Sequence, residues 1–80
     1  MATGGLAELR WHCRRGMREL DVLLMRYMDG EYPTANPEQQ AAFEGLLNLQ
    51  DPEILELLTG RVVAEDASLQ DVVQRLLTKS

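Results

Sequence analysis

His12-Cys13-Arg14-Arg15-Gly16-Met17-Arg18-Glu19-Leu20 is the stretch on which the reading of the fold turns. Upstream of it, Leu6, Leu9 and Cys13 recur at i, i+3 and i+7, on one face of a helix. Downstream, Met17, Leu20, Leu24 and Tyr27 continue that spacing, with Leu23 and Met28 beside them. Either one long helix carries both stripes or the chain turns between them. Gly16 argues for a turn, because glycine costs about 1 kcal/mol inside a helix and is favoured just past a helix C-terminus. Arg14 and Arg15 then stand at the negative end of the first helix, where cations are favoured. Two short helices can then fold against each other, with residues 1–4 as a flexible tail.

The rest of the chain also reads as helix. Asp29-Gly30 ends the second, and Glu31 to Ala35 form a loop. Asn36-Pro37-Glu38-Gln39 starts the third: Asn36 can cap, Pro37 suits the first helical position and Gln39 can reach back. Ala42, Phe43, Leu46 and Leu47 form its apolar stripe. Asp51-Pro52-Glu53 repeats the cap–proline–acid pattern and opens a short fourth helix carrying Ile54, Leu55, Leu57 and Leu58, which Gly60 stops. Asp66 or Ser68 caps the last helix, whose stripe of Leu69, Val72, Val73, Leu76 and Leu77 is the clearest in the chain. No segment alternates long enough to be a strand. The expected architecture is all-α: one domain, a compact bundle of five helices, one of them short.

Composition removes several function classes. Cys13 and His12 are the only cysteine and histidine, so there is no internal disulfide and no Cys/His metal cluster. A single thiol fits a reducing compartment. No apolar run approaches the roughly 20 residues that span a bilayer. Met1-Ala2-Thr3-Gly4-Gly5 lacks the charged and apolar regions of a secretion signal, and the expected location is the cytoplasm. The net charge of −5 opposes non-specific binding to nucleic acid or anionic lipid.

Catalysis has little to work with. His12 and Cys13 are neighbours on a helix and point about 100° apart, so they form no dyad. Cys13 lies on the apolar stripe and reads as a buried structural thiol. The only serines, Ser68 and Ser80, sit in a cap and a tail, and no phosphate-binding glycine loop exists.

Recognition is better supplied. Residues 1–28 carry five basic and three acidic side chains, whereas residues 29–80 carry three basic and ten acidic ones. A cationic junction on an acidic body suggests a face built to meet something specific, although a solvated helix end with a few ion pairs has the same composition. Arg10, Arg14 and Arg18 are spaced by four, but a bend at Gly16 breaks that row and sets the arginines around a corner. Arg15 and Glu19 are also four apart. They either pair with each other or offer a guanidinium fork and a carboxylate to a partner. Trp11 precedes the corner. Trp and Arg are typical interface anchors, but a lone Trp in so small a domain is usually core, and Trp11 is expected to be buried or partly so.

Arg15-Gly16-Met17-Arg18-Glu19 resembles the RGxxE motif of the FAD assembly factors of succinate dehydrogenase, the flavinator family with bacterial and mitochondrial members. The run from Trp11 to Asp21, Leu46-Leu47 followed by Asp51-Pro52, the acidic loop and the last amphipathic helix agree with it, over residues 9–78. Many members carry a tryptophan where this chain has Leu57. The resemblance implies a small cytoplasmic, non-catalytic helper, expected to be a monomer. It would bind the flavoprotein subunit of succinate dehydrogenase, and of fumarate reductase in some bacteria, and promote covalent attachment of FAD to a histidine of that subunit. It would hold no cofactor stably itself. Arg15, Gly16 and Glu19 carry over as partner-binding residues, with Arg14, Arg18 and Trp11 around them. A different class stands beside this one: a helical nucleic-acid-binding regulator or antitoxin-like protein, its second and third helices imitating a helix-turn-helix. The acidic total opposes it.

Overall fold

The computed structural model describes residues 2–78, and the side chains of residues 7–77. Helix α1 spans Ala2–His12, α2 Arg18–Gly30, α3 Pro37–Leu47, α4 Asp51–Thr59 and α5 Ala67–Thr78, with a 3-10 turn at Tyr32–Thr34. No strand occurs among the described residues. The radius of gyration is 11.7 Å, close to the ~11.6 Å expected of a compact chain of this length. The five-helix reading holds, with α4 the shortest at 9 residues. Helix α1 takes in Ala2, Thr3 and Gly4, which the sequence reading assigned to a tail, and Met1 lies outside the described residues.

The helix boundaries follow from their caps. At the start of α3, the Gln39 backbone N–H donates to Asn36 Oδ1 at 2.8 Å, and the Asn36 N–H donates to Gln39 Oε1 at 3.4 Å. Gly60 closes α4 in the left-handed region at φ +84°, and the Arg61 N–H bonds the Glu56 carbonyl at 3.0 Å. Asp66 caps α5, its Oδ1 accepting from the Ser68 N–H at 3.2 Å. The α4 start corrects the sequence reading by one residue. Gln50, not Asp51, precedes the first helical residue, and the Gln50 N–H donates to Glu53 Oε1 at 2.9 Å. This shift leaves the Asp51 carboxylate available elsewhere.

Phe43 of α3 is fully buried at the centre. The Tyr27 ring of α2 lies 4.6 Å from it and the Tyr32 ring 5.7 Å, tilted as aromatic quadrupoles prefer. Helix α5 packs Val72, Val73 and Leu76 against α2, α3 and α4. Leu77, expected in the same stripe, is exposed, because it lies at the edge of the face defined by Leu69, Val72, Val73 and Leu76. Polar side chains tie α5 to its neighbours. Arg75 bonds Asp71 at 3.0 Å and Glu31 at 3.2 Å, and the Gln39 amide donates to Asp71. These bonds hold the Asp71 carboxyl below its ordinary range. The far side of the bundle, where α1 meets α2 and the α3–α4 turn, carries the candidate site.

Candidate functional site

Helix α1 ends in a tightened turn, with the Cys13 and Arg14 N–H groups bonding the carbonyls of Arg10 and Trp11 at 3.1 and 3.0 Å. Cys13 is fully buried, and its Sγ donates to the Leu24 carbonyl at 3.9 Å. Burial pushes its thiol up to about 11, with Arg10 opposing the shift. It is the structural thiol that the apolar stripe implied, and no nucleophile.

The chain then turns through Gly16 at φ +91°, a left-handed conformation that L side chains adopt only with strain. Met17, extended, supplies no side-chain cap to α2. Asp21, in the first turn of α2, instead ties down the turn that precedes the helix. Its carboxylate accepts the Arg15 N–H at 2.7 Å and the Gly16 N–H at 3.4 Å. An anion at a helix N-terminus is favoured by the helix dipole, and here it also holds the corner closed. Asp21 closes the run that resembles the family, without an expected role of its own. The available signal was an acidic first-turn residue behind a helix start that lacked a polar cap.

Arg15 differs most from expectation. Its guanidinium neither pairs with Glu19 nor reaches into solvent. Nε donates to Asp51 Oδ1 at 2.9 Å, and Nη1 donates to the His12 carbonyl at 3.0 Å and the Leu47 carbonyl at 2.8 Å. Nη2 donates to the Leu49 carbonyl. The side chain is only 14% exposed. The cause is carbonyl supply: the last carbonyls of α1 and α3 lack helical partners, and the fork of N–H groups on a guanidinium suits several acceptors at once. Arg15 is therefore an internal brace joining α1, the α3–α4 turn and α4.

The other predicted residues remain on the surface. Gly16, Arg14, Arg18 and Glu19 are exposed. A side chain at Gly16 would meet nothing within 4 Å, so its surroundings are open. The four ion pairs among the described residues leave Arg14, Arg18 and Glu19 out. Arg10 pairs with Asp29 at the end of α2, and the turn at Gly16 breaks the row of Arg10, Arg14 and Arg18 as expected. Trp11 is 69% exposed, against the expectation of burial. Helix position outweighs residue type here, because Trp11 lies on the opposite face of α1 from Leu9 and Cys13.

The corner thus offers two cations, a carboxylate, an indole and a stretch of uncovered backbone. These groups can form ion pairs and apolar contacts. Among the described residues no three His, Cys, Asp or Glu side chains gather to hold a metal.

A family model described as the flavinator of succinate dehydrogenase matches residues 7–80. The FAD assembly factor of Colwellia psychrerythraea is 44% identical over 73 residues, covering 91% of this chain and 80% of that protein. The one from Methylococcus capsulatus is 44% identical over 68 residues, covering 85% and 82%. The one from Pectobacterium atrosepticum is 32% identical over 80 residues, covering 100% and 91%.

Proposed function

Because this chain belongs to the flavinators of succinate dehydrogenase, we propose that it is a non-catalytic assembly factor that docks on the flavoprotein subunit of that enzyme and promotes covalent attachment of FAD there. The same surface serves the flavoprotein of fumarate reductase in cells that make one. The observation that carries this reading is the outward position of Gly16, Arg18 and Glu19, with Arg14 and Trp11 beside them, on a corner braced from within. Uncovered backbone at Gly16 lets a partner chain approach closely. Arg14 and Arg18 meet carboxylates, and Glu19 meets a donor on the partner.

Docking stabilises the flavoprotein conformation in which its own residues form the bond between its histidine and the flavin. The factor then needs no nucleophile, and FAD stays with the partner. It acts as a monomer in the cytoplasm. No helix among the described residues is long and apolar enough to cross a membrane. Nothing in the family match favours the nucleic-acid-binding alternative, and Arg10 and Arg15 are paired internally rather than offered to phosphates.

Covalent flavin in the denatured flavoprotein, read as in-gel fluorescence, tests the proposal in a host lacking the factor. The wild-type chain should restore the signal, and Glu19→Ala and Gly16→Arg should lower it. Full signal with both variants would remove this corner from the mechanism.

A further inference from the structure

Beside the Gly16 corner runs an open groove of about 500 Å³, lined by Trp11, Arg14, Gly16, Asp21, Val22 and Met25. Its walls are two helix faces. Trp11 stands on the outer face of α1, and Arg18, Val22 and Met25 follow one another at i, i+4 and i+7 along α2. The apolar part is conspicuous in this chain. Tyr27, Tyr32 and Phe43 are all buried, so Trp11 at 69% exposure is the one aromatic on the surface, and Val22 beside it is 54% exposed. The Asp21 carboxylate on the groove is taken up by the Arg15 and Gly16 N–H groups. The cations are Arg14, on the groove itself, and Arg18, outside its lining but one turn from Val22. Neither has an ion-pair partner among the described residues, whereas Arg10, Arg15 and Arg75 all do.

We infer that this groove takes an acidic amphipathic segment of the partner flavoprotein. One apolar side chain of that segment lies between Trp11 and Met25, and a neighbouring carboxylate pairs with Arg14. The inference rests on the docking proposed above and names what is docked. Continuity supports it, since Gly16 lines the groove and is the motif's own residue. Charge complementarity supports it too: unpaired cations on a chain of net charge −5 select an acidic segment locally, while the acidic body repels a strand or surface of uniform negative charge.

Trp11 is the only tryptophan, so 5-fluorotryptophan labels the groove alone. Titrating the unlabelled flavoprotein subunit into the labelled full chain should shift and broaden its fluorine resonance. Trp11→Ala and Val22→Glu should each weaken the complex about tenfold, and Val22→Lys clearly less than Val22→Glu. These side chains are exposed, so circular dichroism should show intact folds. An unshifted resonance on saturation with the subunit, or affinities within twofold of wild type, would overturn the groove assignment. Equal losses from Val22→Glu and Val22→Lys would overturn the acidic segment. A shift produced by duplex DNA, or by raising the concentration of this chain alone, would also overturn it, in favour of nucleic acid or a second copy. Failure of the docking proposal looks different: the wild-type chain would neither bind the subunit nor raise its covalent flavin.

Discussion

Nε of Arg15 donates to Asp51 Oδ1 at 2.9 Å, joining the bend after α1 to the first residue of α4. The arginine of the family's motif is thereby spent inside the molecule, and its neighbours are presented outside. Arg15→Ala should therefore behave as a folding variant. It leaves the Asp51 carboxylate and three carbonyls without their donor and should cost about 2–3 kcal/mol. In a domain of this size that lowers Tm by roughly 10–20 °C. Arg15→Lys should recover only part, since an ammonium cannot reproduce the fork. Thermal melts at 222 nm check this, and an unchanged Tm for Arg15→Ala would return Arg15 to the docking surface.

Asp21 controls the corner more locally. Asp21→Ala removes the acceptor of two backbone N–H groups and a favourable first-turn charge, at a cost of about 1 kcal/mol. The global fold should survive at 25 °C. Hydrogen exchange should speed up at the Arg15 and Gly16 amides, and covalent flavin yield should fall further than stability does.

Gly16 combines two demands that substitutions can separate. Its positive φ makes Gly16→Ala strained by about 1 kcal/mol, although the space around it is open. Asparagine tolerates the left-handed region, so Gly16→Asn should fold nearly as well as wild type while covering the backbone. If Gly16→Asn folds normally yet fails to support flavinylation, the partner needs the bare backbone. If it supports flavinylation fully, glycine serves the turn alone. Urea midpoints paired with in-gel flavin fluorescence give the answer.

Alkaline pH should weaken the fold in a defined window. Burial raises the Cys13 thiol from 9.0 to about 11. Burial first, and then the hydrogen bond to Glu44, raise the Tyr32 hydroxyl from 10.0 to about 12. Both groups hold their protons more tightly when folded. Their contribution is therefore complete below pH 9 and lost as pH rises through 11 and 12. Tyr27 shifts in the same sense. Urea midpoints from pH 8 to 12 should fall across this range. Tyr32→Phe should flatten the upper part of the decline, at a cost near neutral pH of about 1 kcal/mol for the lost Glu44 bond. A parallel curve for the variant would show that Tyr32 titrates no differently in the two states.

The helices were legible in the sequence because their signals are local. A stripe such as Leu69, Val72, Val73 and Leu76 follows from helical periodicity, and the Asn36–Gln39 box and the Gly60 stop involve residues a few positions apart. The break at Gly16 and the burial of Cys13 were readable for the same reason. The motif also fell at a bend that the structure leaves open to solvent. The division of labour within the corner was not legible. Arg14 and Arg15 are the same residue type side by side, and nothing in their spacing says which turns inward.

That choice depended on distant segments. The Leu47 and Leu49 carbonyls and the Asp51 carboxylate reach Arg15 only after α3 and α4 have packed, more than thirty positions along the chain. Local periodicity carries no information about where those acceptors arrive. The chain's order of residues was enough to specify an all-α bundle, its caps and the place of its cationic bend. Three-dimensional packing settled which arginine braces the bend, how Asp21 closes it, and that Trp11 faces outward. Helices form from contacts between near neighbours, whereas a buried guanidinium must find its acceptors across the whole fold.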